Sequence, residues 1–168
     1  MNLRRYLIAC SLLILIGCTV SYKFTGASID YSRIKNISIA DFPNQAPLVY
    51  PPLSQMFTEG LKSKFLSQTK LKLAKRDGHL QLEGEIVGYD LTPMAQGADG
   101  YATETKLTVT VNVRYTNTLD SKQDFEQKIS AFRTFSNSSS LEKEQDALNA
   151  EITKEIFELI FNKTVANW

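Results

Sequence analysis

Apolar residues recur along this chain with two different periods, and the periods predict its secondary structure. Between residues 107 and 115 polar and apolar positions alternate strictly. The apolar side of this run consists of Leu107, Val109, Val111, Val113 and Tyr115. Apolar residues instead recur at steps of three and four through 53–65 and 148–160. Alternation is typical of a strand with one buried face, and the longer period is typical of an amphipathic helix. We therefore predict one clean strand and two helices, the second over about 140–164.

Shorter apolar runs predict four further strands. They cover residues 34–42, 70–76, 80–91 and 124–135. Asp77-Gly78 lies between the second and third of these runs and is a strong signal for a two-residue hairpin. Residues 92–100 contain Pro93, Gly97 and Gly100, and are expected to form a turn-rich excursion. Ser139 and Glu142 have the spacing of a capping box, which places the start of the second helix just after Ser139.

Together these elements predict an α+β fold. Two helices pack on one face of a four- to five-stranded, antiparallel-rich sheet and form a two-layer sandwich. The other face is expected to be wetter, because alternation places Thr108, Thr110, Asn112 and Arg114 opposite the apolar residues. In the strand 80–91, the same alternation groups Tyr89 with the acidic residues rather than with the apolar face.

The N-terminus has the pattern of an exported lipoprotein. Arg4 and Arg5 precede a short apolar run that ends in Leu15-Ile16-Gly17-Cys18. A charged start, a short apolar centre and a small residue at the cleavage site are typical of a secretory signal peptide. The final quartet resembles a lipobox. We therefore predict a signal peptide over 1–17, lipidation of Cys18, a lipid-anchored tether over 18–28 and one domain over 29–168.

Charge and chemistry favour a binding or assembly role over an enzyme. The chain has 19 Lys and Arg against 18 Asp and Glu, so it lacks the basic excess of a nucleic-acid-binding protein. The single histidine, His79, has no Cys or clustered carboxylates beside it, so we expect neither a metal nor a cofactor. Glu83 and Glu85 are interpreted as exposed acidic residues of a strand. No nucleophile elbow, zinc-protease motif or phosphate-binding glycine loop is present in the sequence.

Several whole segments resemble one known family. They are Tyr22-Lys23-Phe24-Thr25-Gly26-Ala27-Ser28-Ile29, Phe42-Pro43-Asn44-Gln45-Ala46-Pro47-Leu48-Val49, Glu83-Gly84-Glu85-Ile86 and Asn162-Lys163-Thr164-Val165-Ala166-Asn167-Trp168. On these segments the chain looks like LptE, the lipopolysaccharide-assembly lipoprotein family, in its Bacteroidota-type form. The resemblance covers nearly the whole predicted mature chain. It identifies a family better than a site, because none of the segments is a catalytic motif.

The resemblance implies an outer-membrane lipoprotein held in the inner leaflet, facing the periplasm and a barrel lumen. Such proteins plug and help assemble the LptD-like β-barrel, and they assist lipopolysaccharide delivery to the cell surface. The implied partners are that barrel, lipopolysaccharide and the membrane through the lipid. The resemblance assigns a role to one residue only, the lipidated Cys18. Arg114 is our own choice of phosphate contact, because a guanidinium group binds phosphate with two parallel hydrogen bonds.

A second hypothesis is a periplasmic lipoprotein adaptor that activates an envelope enzyme or an ABC transporter. Such an adaptor would also be a small α+β domain on a lipid anchor. Ten residues lie between Cys18 and Ile29, and a fully extended chain of that length spans at most about 36 Å. The short tether favours a partner in or at the same membrane.

Overall fold

The computed structural model describes residues 29–96 and 102–165, apart from the side chains of residues 95, 96 and 102. The predicted signal peptide, Cys18 and the tether lie outside these ranges. The elements, in chain order, are β1 (Asn36–Ile39), α1 (Leu53–Gln68), β2 (Lys72–Ala74), β3 (Leu80–Gln96), β4 (Ala102–Asn117), a 3-10 turn (Ser121–Gln123), β5 (Phe125–Ser136) and α2 (Leu141–Thr164).

The five strands form one sheet in the order β2-β1-β3-β4-β5. β1 is parallel to both of its neighbours, whereas β3 with β4 and β4 with β5 form long antiparallel ladders. Both helices lie on the same face of this sheet and pack against each other. The predicted α+β sandwich is confirmed, with a mixed sheet in which the antiparallel pairs are the longer ones.

The core lies between the helices and the alternating residues of β4. Val109, Val111 and Val113 have no exposed surface, as the strict alternation predicts. Full burial of one such side chain contributes about 1.5–3 kcal/mol. The two helices are joined by aromatic pairs, and the ring centroids of Phe57 and Phe157 are 5.0 Å apart. The apolar stripes of the two helices and the apolar side of β4 thus pack together in one layer.

The hairpin predicted at Asp77-Gly78 is wrong, because β1 lies between β2 and β3 in the sheet. The chain does turn sharply there, and Asp77 has a φ of 53°. However, residues 75–79 then cross the helix-free side of β1. The backbone N–H of His79 donates to Asn36 Oδ1 over 2.7 Å. Gly78 is required at the crossing, because a Cβ there would lie 2.4 Å from the backbone nitrogen of Ser38.

The turn-rich excursion predicted over 92–100 is also wrong at its start. β3 continues through Pro93 to Gln96, and Pro93 is paired with Thr105 of β4. Proline is tolerated here because β1 pairs with β3 only at its beginning, so this part of β3 is a sheet edge where a missing N–H breaks no ladder. Residues 97–101 lie outside the described residues.

A bulge in β3 changes which face one tyrosine occupies. The register of β3 against β4 shifts between Ile86 and Gly88, which inserts one extra residue. Tyr89 therefore turns inward and is buried beside the helices, where its hydroxyl accepts a hydrogen bond from Asn149 Nδ2 over 3.0 Å. The alternation had placed Tyr89 on the outer face, and a bulge breaks that alternation.

Helix α2 begins where the sequence indicates, but not with the predicted cap. Ser140 is the residue before the first turn. Ser139 Oγ instead donates to Glu144 Oε1 over 2.8 Å, so the capping box between Ser139 and Glu142 does not form. The pKa of Glu142 is lowered, first by a hydrogen bond from its own backbone and then by the Ser140 hydroxyl.

Candidate functional site

The helix-free side of β3, β4 and β5 is a continuous and mostly polar surface, which we call the open face. The ladder registers place one residue from each strand side by side across it. Its members are Gln81, Glu83, Glu85, Gly88, Asp90, Thr92 and the exposed Met94 from β3, Glu104, Lys106, Thr108, Thr110, Asn112, Arg114 and Thr116 from β4, and Glu126, Lys128, Ser130, Phe132, Thr134 and Ser136 from β5.

Arg114 lies on the open face, as the sequence predicts, between two carboxylates. Its register partners are Glu83 on β3 and Glu126 on β5. The Nη2 atom of Arg114 is 3.1 Å from Glu126 Oε2, and Nη1 is 4.0 Å from Glu83 Oε2. The pKa of Glu126 is lowered, first by a hydrogen bond from Asn112 and then by Arg114. All of these groups are well exposed, so each pair contributes little to folding.

A shallow cavity of about 390 Å³ lies beside this arginine. Asp41, Glu83, Glu85 and Glu126 line it together with Arg114. Four carboxylates against one guanidinium give the cavity a negative field. A phosphate group would therefore have to displace a carboxylate from Arg114 in order to bind there, while hydrogen-bond donors and cations fit without such an exchange.

The middle of the open face carries hydroxyl groups and one exposed ring. Thr110 stands opposite Ser130, and Thr108 stands opposite Phe132. Phe132 is 54% exposed, and Lys106 Nζ lies 5.5 Å from the centre of its ring. A cation at this distance is attracted by the ring face. Phe132 lies among the polar residues of β5, and the register of β4 against β5 brings Lys106 beside its ring.

His79, the histidine considered in the sequence, has a structural role. His79 Nδ1 accepts a hydrogen bond from the backbone N–H of Lys35 over 3.1 Å, so the histidine fixes the crossing segment to the start of β1. Over residues 29–96 and 102–165, no group of three or more His, Cys, Asp or Glu side chains is arranged to hold a metal ion. No helix in these ranges is both long and apolar enough to cross a membrane.

Comparison with known proteins identifies the family of this domain. The profile of LptE, described as Lipopolysaccharide-assembly, matches residues 34–164, which is nearly all of the described domain. The chain belongs to the LptE family. The resemblance noted in the sequence is thereby confirmed, and so is a role in lipopolysaccharide assembly at the level of the family. No curated protein matches this sequence.

Solved structures of bacterial proteins share the fold at low identity. Lipoprotein B from Nitrosomonas europaea is 15% identical, with a TM-score of 0.55 over 79% of this chain and 83% of its own. A minor lipoprotein from Acinetobacter baumannii is 18% identical, with a TM-score of 0.52 over 80% and 94%. A hypothetical protein from Chlamydia trachomatis is 12% identical, with a TM-score of 0.54 over 80% and 99%. These neighbours support the architecture and do not identify contact residues.

Proposed function

We propose that this protein is an outer-membrane lipoprotein that plugs and helps assemble an LptD-like β-barrel and assists lipopolysaccharide delivery to the cell surface. The observation that carries the proposal is the family match over residues 34–164. The domain acts by binding rather than by catalysis in this proposal. Its location is the inner leaflet of the outer membrane, with the domain facing the periplasm and the barrel lumen.

The open face supports this proposal by its chemistry. The lumen of an outer-membrane barrel is polar, so a plug should present polar side chains to it rather than a large apolar patch. The open face supplies hydroxyl, amide and charged groups on three long strands, with Phe132 as its exposed aromatic member. The helix-covered face cannot do so, because its residues are committed to the core. We therefore assign the barrel contact to the open face.

Lipidation of Cys18 supplies the membrane attachment in this proposal. A single acyl chain binds a membrane only marginally, so stable anchoring requires more than one chain or a second signal. A triacylated cysteine meets that requirement. Replacing Cys18 with Ser should leave the precursor uncleaved or release the protein into the soluble fraction. Normal processing and membrane fractionation of the Cys18→Ser variant would contradict the lipobox assignment.

Arg114 is our candidate for a phosphate contact on the open face. Because Glu126 and Glu83 already pair with it, phosphate binding requires the exchange of one ion-pair partner. Binding of purified lipopolysaccharide should therefore weaken several-fold in Arg114→Gln and strengthen in Glu126→Gln. Lys154→Gln, on the exposed side of α2, loses the same charge as Arg114→Gln and serves as the control. Equal weakening in Arg114→Gln and Lys154→Gln would leave only a general charge effect and would remove Arg114 from the proposal.

The experiment that tests the whole proposal is depletion of the lipoprotein in its own cells. The expected result is a fall in the amount of correctly assembled LptD-like barrel and slower appearance of lipopolysaccharide at the surface. Mature protein that lacks Cys18 should still co-purify with the barrel, because the lipid fixes depth but not the partner. If a periplasmic enzyme or transporter subunit is recovered instead, with barrel levels unchanged on depletion, the adaptor hypothesis replaces this one.

A further inference from the structure

Two of the free edges of the sheet are protected against pairing with another chain. The sheet ends at β2 on one side and at β5 on the other, and β1 leaves the upper part of β3 without a neighbour. β2 is only three residues long and carries Lys72. The upper part of β3 contains Pro93. Short strands, lysines and prolines are the features by which proteins prevent pairing at a sheet edge.

β5 forms the remaining edge and is not protected in this way. It extends over 12 residues, Phe125–Ser136, without a proline or a glycine. Its ladder with β4 has no shift of register. Arg133 does not guard the edge, because its guanidinium group is held by Glu151 and Glu155 of α2. A long and regular edge of this kind is a template for pairing with another extended chain.

Every second residue of β5 turns its backbone N–H and C=O groups toward the free edge. The backbone N–H of Asn137 donates to the carbonyl of the opposite residue, Thr103, over 3.0 Å. Hydrogen-bonded and non-bonded pairs alternate along an antiparallel ladder, so the odd-numbered residues of β5 bond to β4 and the even-numbered ones do not. The outward groups therefore belong to open-face residues, namely Glu126, Lys128, Ser130, Phe132 and Thr134.

The outward groups are mostly unpaired in the described part of the chain. The carbonyl of Phe132 accepts a hydrogen bond from Arg133 Nη1 over 2.7 Å. Within residues 29–96 and 102–165, nothing bonds to the outward groups of Glu126, Lys128 and Ser130. Successive outward residues are about 7 Å apart along a strand. Another extended backbone presents its own donors and acceptors at the same spacing, and can therefore pair with this edge.

An exposed leucine of α2 lies alongside the middle of this edge. Glu155 binds Arg133 near one end of β5, and Lys163 Nζ lies 5.0 Å from the ring centre of Phe125 at the other end. Leu159 is four residues from both Glu155 and Lys163, so it lies on the same side of the helix between them. It is 43% exposed. The edge therefore has an apolar side chain on the helix side as well as Phe132 on the open face.

We propose that an extended segment of the LptD-like barrel protein pairs with β5 and adds a sixth strand to the sheet. The inference rests on the proposed plug function, and it adds a backbone contact to the side-chain contacts of the open face. Alternate side chains of the added strand point to opposite faces, so one set meets Phe132 and the other meets Leu159. In this mode of binding, main-chain hydrogen bonds supply affinity and side-chain contacts supply specificity.

The charge along the edge indicates the chemistry of the added strand. Lys128 is exposed, and none of the ion pairs between described residues includes it. The partner segment should therefore carry a carboxylate opposite Lys128 and an apolar residue beside Phe132. A second copy of β5 fits less well. Antiparallel pairing centred on Ser130 would place Lys128 opposite Phe132, whose ring already attracts Lys106.

Proline and alanine at one position separate strand pairing from side-chain contact. Ser130→Pro removes an outward N–H and keeps the ladder with β4, because proline is tolerated where its nitrogen faces away from the sheet. Ser130→Ala removes the hydroxyl and keeps the N–H. In co-expression with the barrel, Ser130→Pro should bind more weakly, by roughly fivefold for each backbone hydrogen bond that is lost. Ser130→Ala should bind nearly as well as the parent, and thermal unfolding checks that both variants are folded.

Amide hydrogen exchange tests the same edge without a substitution. In the free protein, the N–H groups of Lys128, Ser130 and Phe132 should exchange quickly, because they face solvent. In the complex with the barrel they should exchange several-fold more slowly. The N–H groups of Ile129 and Ala131 bond to β4 and should exchange slowly in both samples, which provides the internal control. If Ser130→Pro does not fold, this measurement decides the question.

Three results would overturn the proposal while the parent still recovers the barrel. The first is equal binding by Ser130→Pro and Ser130→Ala, and the second is unchanged exchange at the outward amides in the complex. The third is a dimer of the isolated protein that Ser130→Pro dissociates, since the edge would then pair with a second copy. Failure of the parent to recover any barrel would contradict the plug function itself, and this inference with it, so the two failures are distinguishable.

Discussion

The two faces of β4 come from the same stretch of chain and differ completely in what they contact. Val109, Val111 and Val113 lie under the helices without exposed surface. The intervening Thr110, Asn112 and Arg114 lie on the open face, and Asn112 and Arg114 bind only exposed carboxylates. The helix-covered side of the sheet, called the covered face below, therefore contributes more to the stability of the fold than the open face does. The open face is free to carry contacts with a partner, because changing it costs the fold little.

The largest expected effect is on the covered face. Ile156 of α2 has no exposed surface, and Ile156→Ala removes buried methyl groups and leaves a cavity. Its free energy of unfolding should fall by roughly 2–5 kcal/mol, measured by chemical denaturation. A loss below about 0.5 kcal/mol, the usual range for surface positions, would show that α2 does not pack on the sheet as described.

The covered face should also make the protein sensitive to alkali. Burial, with a smaller effect of Asp124, raises the pKa of Tyr115 to about 12. Because the folded pKa lies above the unfolded value of about 10, this contribution to stability is fully present below pH 10 and is lost as the pH rises to 12. The loss should reach about 2–3 kcal/mol. Between pH 9 and pH 12 the unfolding temperature should fall less in Tyr115→Phe than in the parent. The same fall in both proteins would contradict a raised pKa for Tyr115.

Gly78 lies on the helix-free side of the sheet, yet its replacement should still lower the free energy of unfolding. Gly78 crosses β1 so closely that a Cβ would meet backbone atoms of Ile37, Ser38 and Leu80 within 2.8 Å. Gly78→Ala should therefore cost about 1–3 kcal/mol, as overpacking does in a core. The control is Asp77→Ala at the neighbouring turn position. A lower cost for Gly78→Ala than for Asp77→Ala would show that the crossing is not closely packed.

The smallest effect is expected on the open face. Glu83 is exposed, and its closest approach to Arg114 is 4.0 Å. Glu83→Ala should change the free energy of unfolding by no more than about 0.5 kcal/mol. Thermal shifts as large as those of Ile156→Ala would remove the distinction between the two faces.

Local periodicity was sufficient to predict the covered sides of α1, α2 and β4, but not that of β3, where the bulge turns Tyr89 inward. The stripes of α1 and α2 and the alternation of β4 are properties of short stretches, and helices and strands follow directly from them. The fold class could be predicted for the same reason, since two amphipathic helices need one apolar sheet face to cover them.

The errors arose where a distant partner determines the structure. Asp77-Gly78 does turn, but only the insertion of β1 shows that no hairpin follows. Pro93 remains in a strand because β1 is too short to pair with that part of β3. Likewise, Arg114 could be placed on the wetter face from its sequence position. Its two carboxylate partners depend on the registers of β3 and β5, which no local pattern specifies.

The most direct test of the account compares one large substitution on the open face with the same substitution on the exposed side of α2. Ser130→Trp projects an indole from the middle of the open face, and Lys154→Trp projects one from the helix layer. Both variants should unfold near the temperature of the parent. When each is co-expressed with the LptD-like barrel, Ser130→Trp should recover much less barrel and Lys154→Trp should recover nearly as much as the parent. Equal recovery, or a loss confined to Lys154→Trp, would contradict the assignment of the barrel contact to the open face.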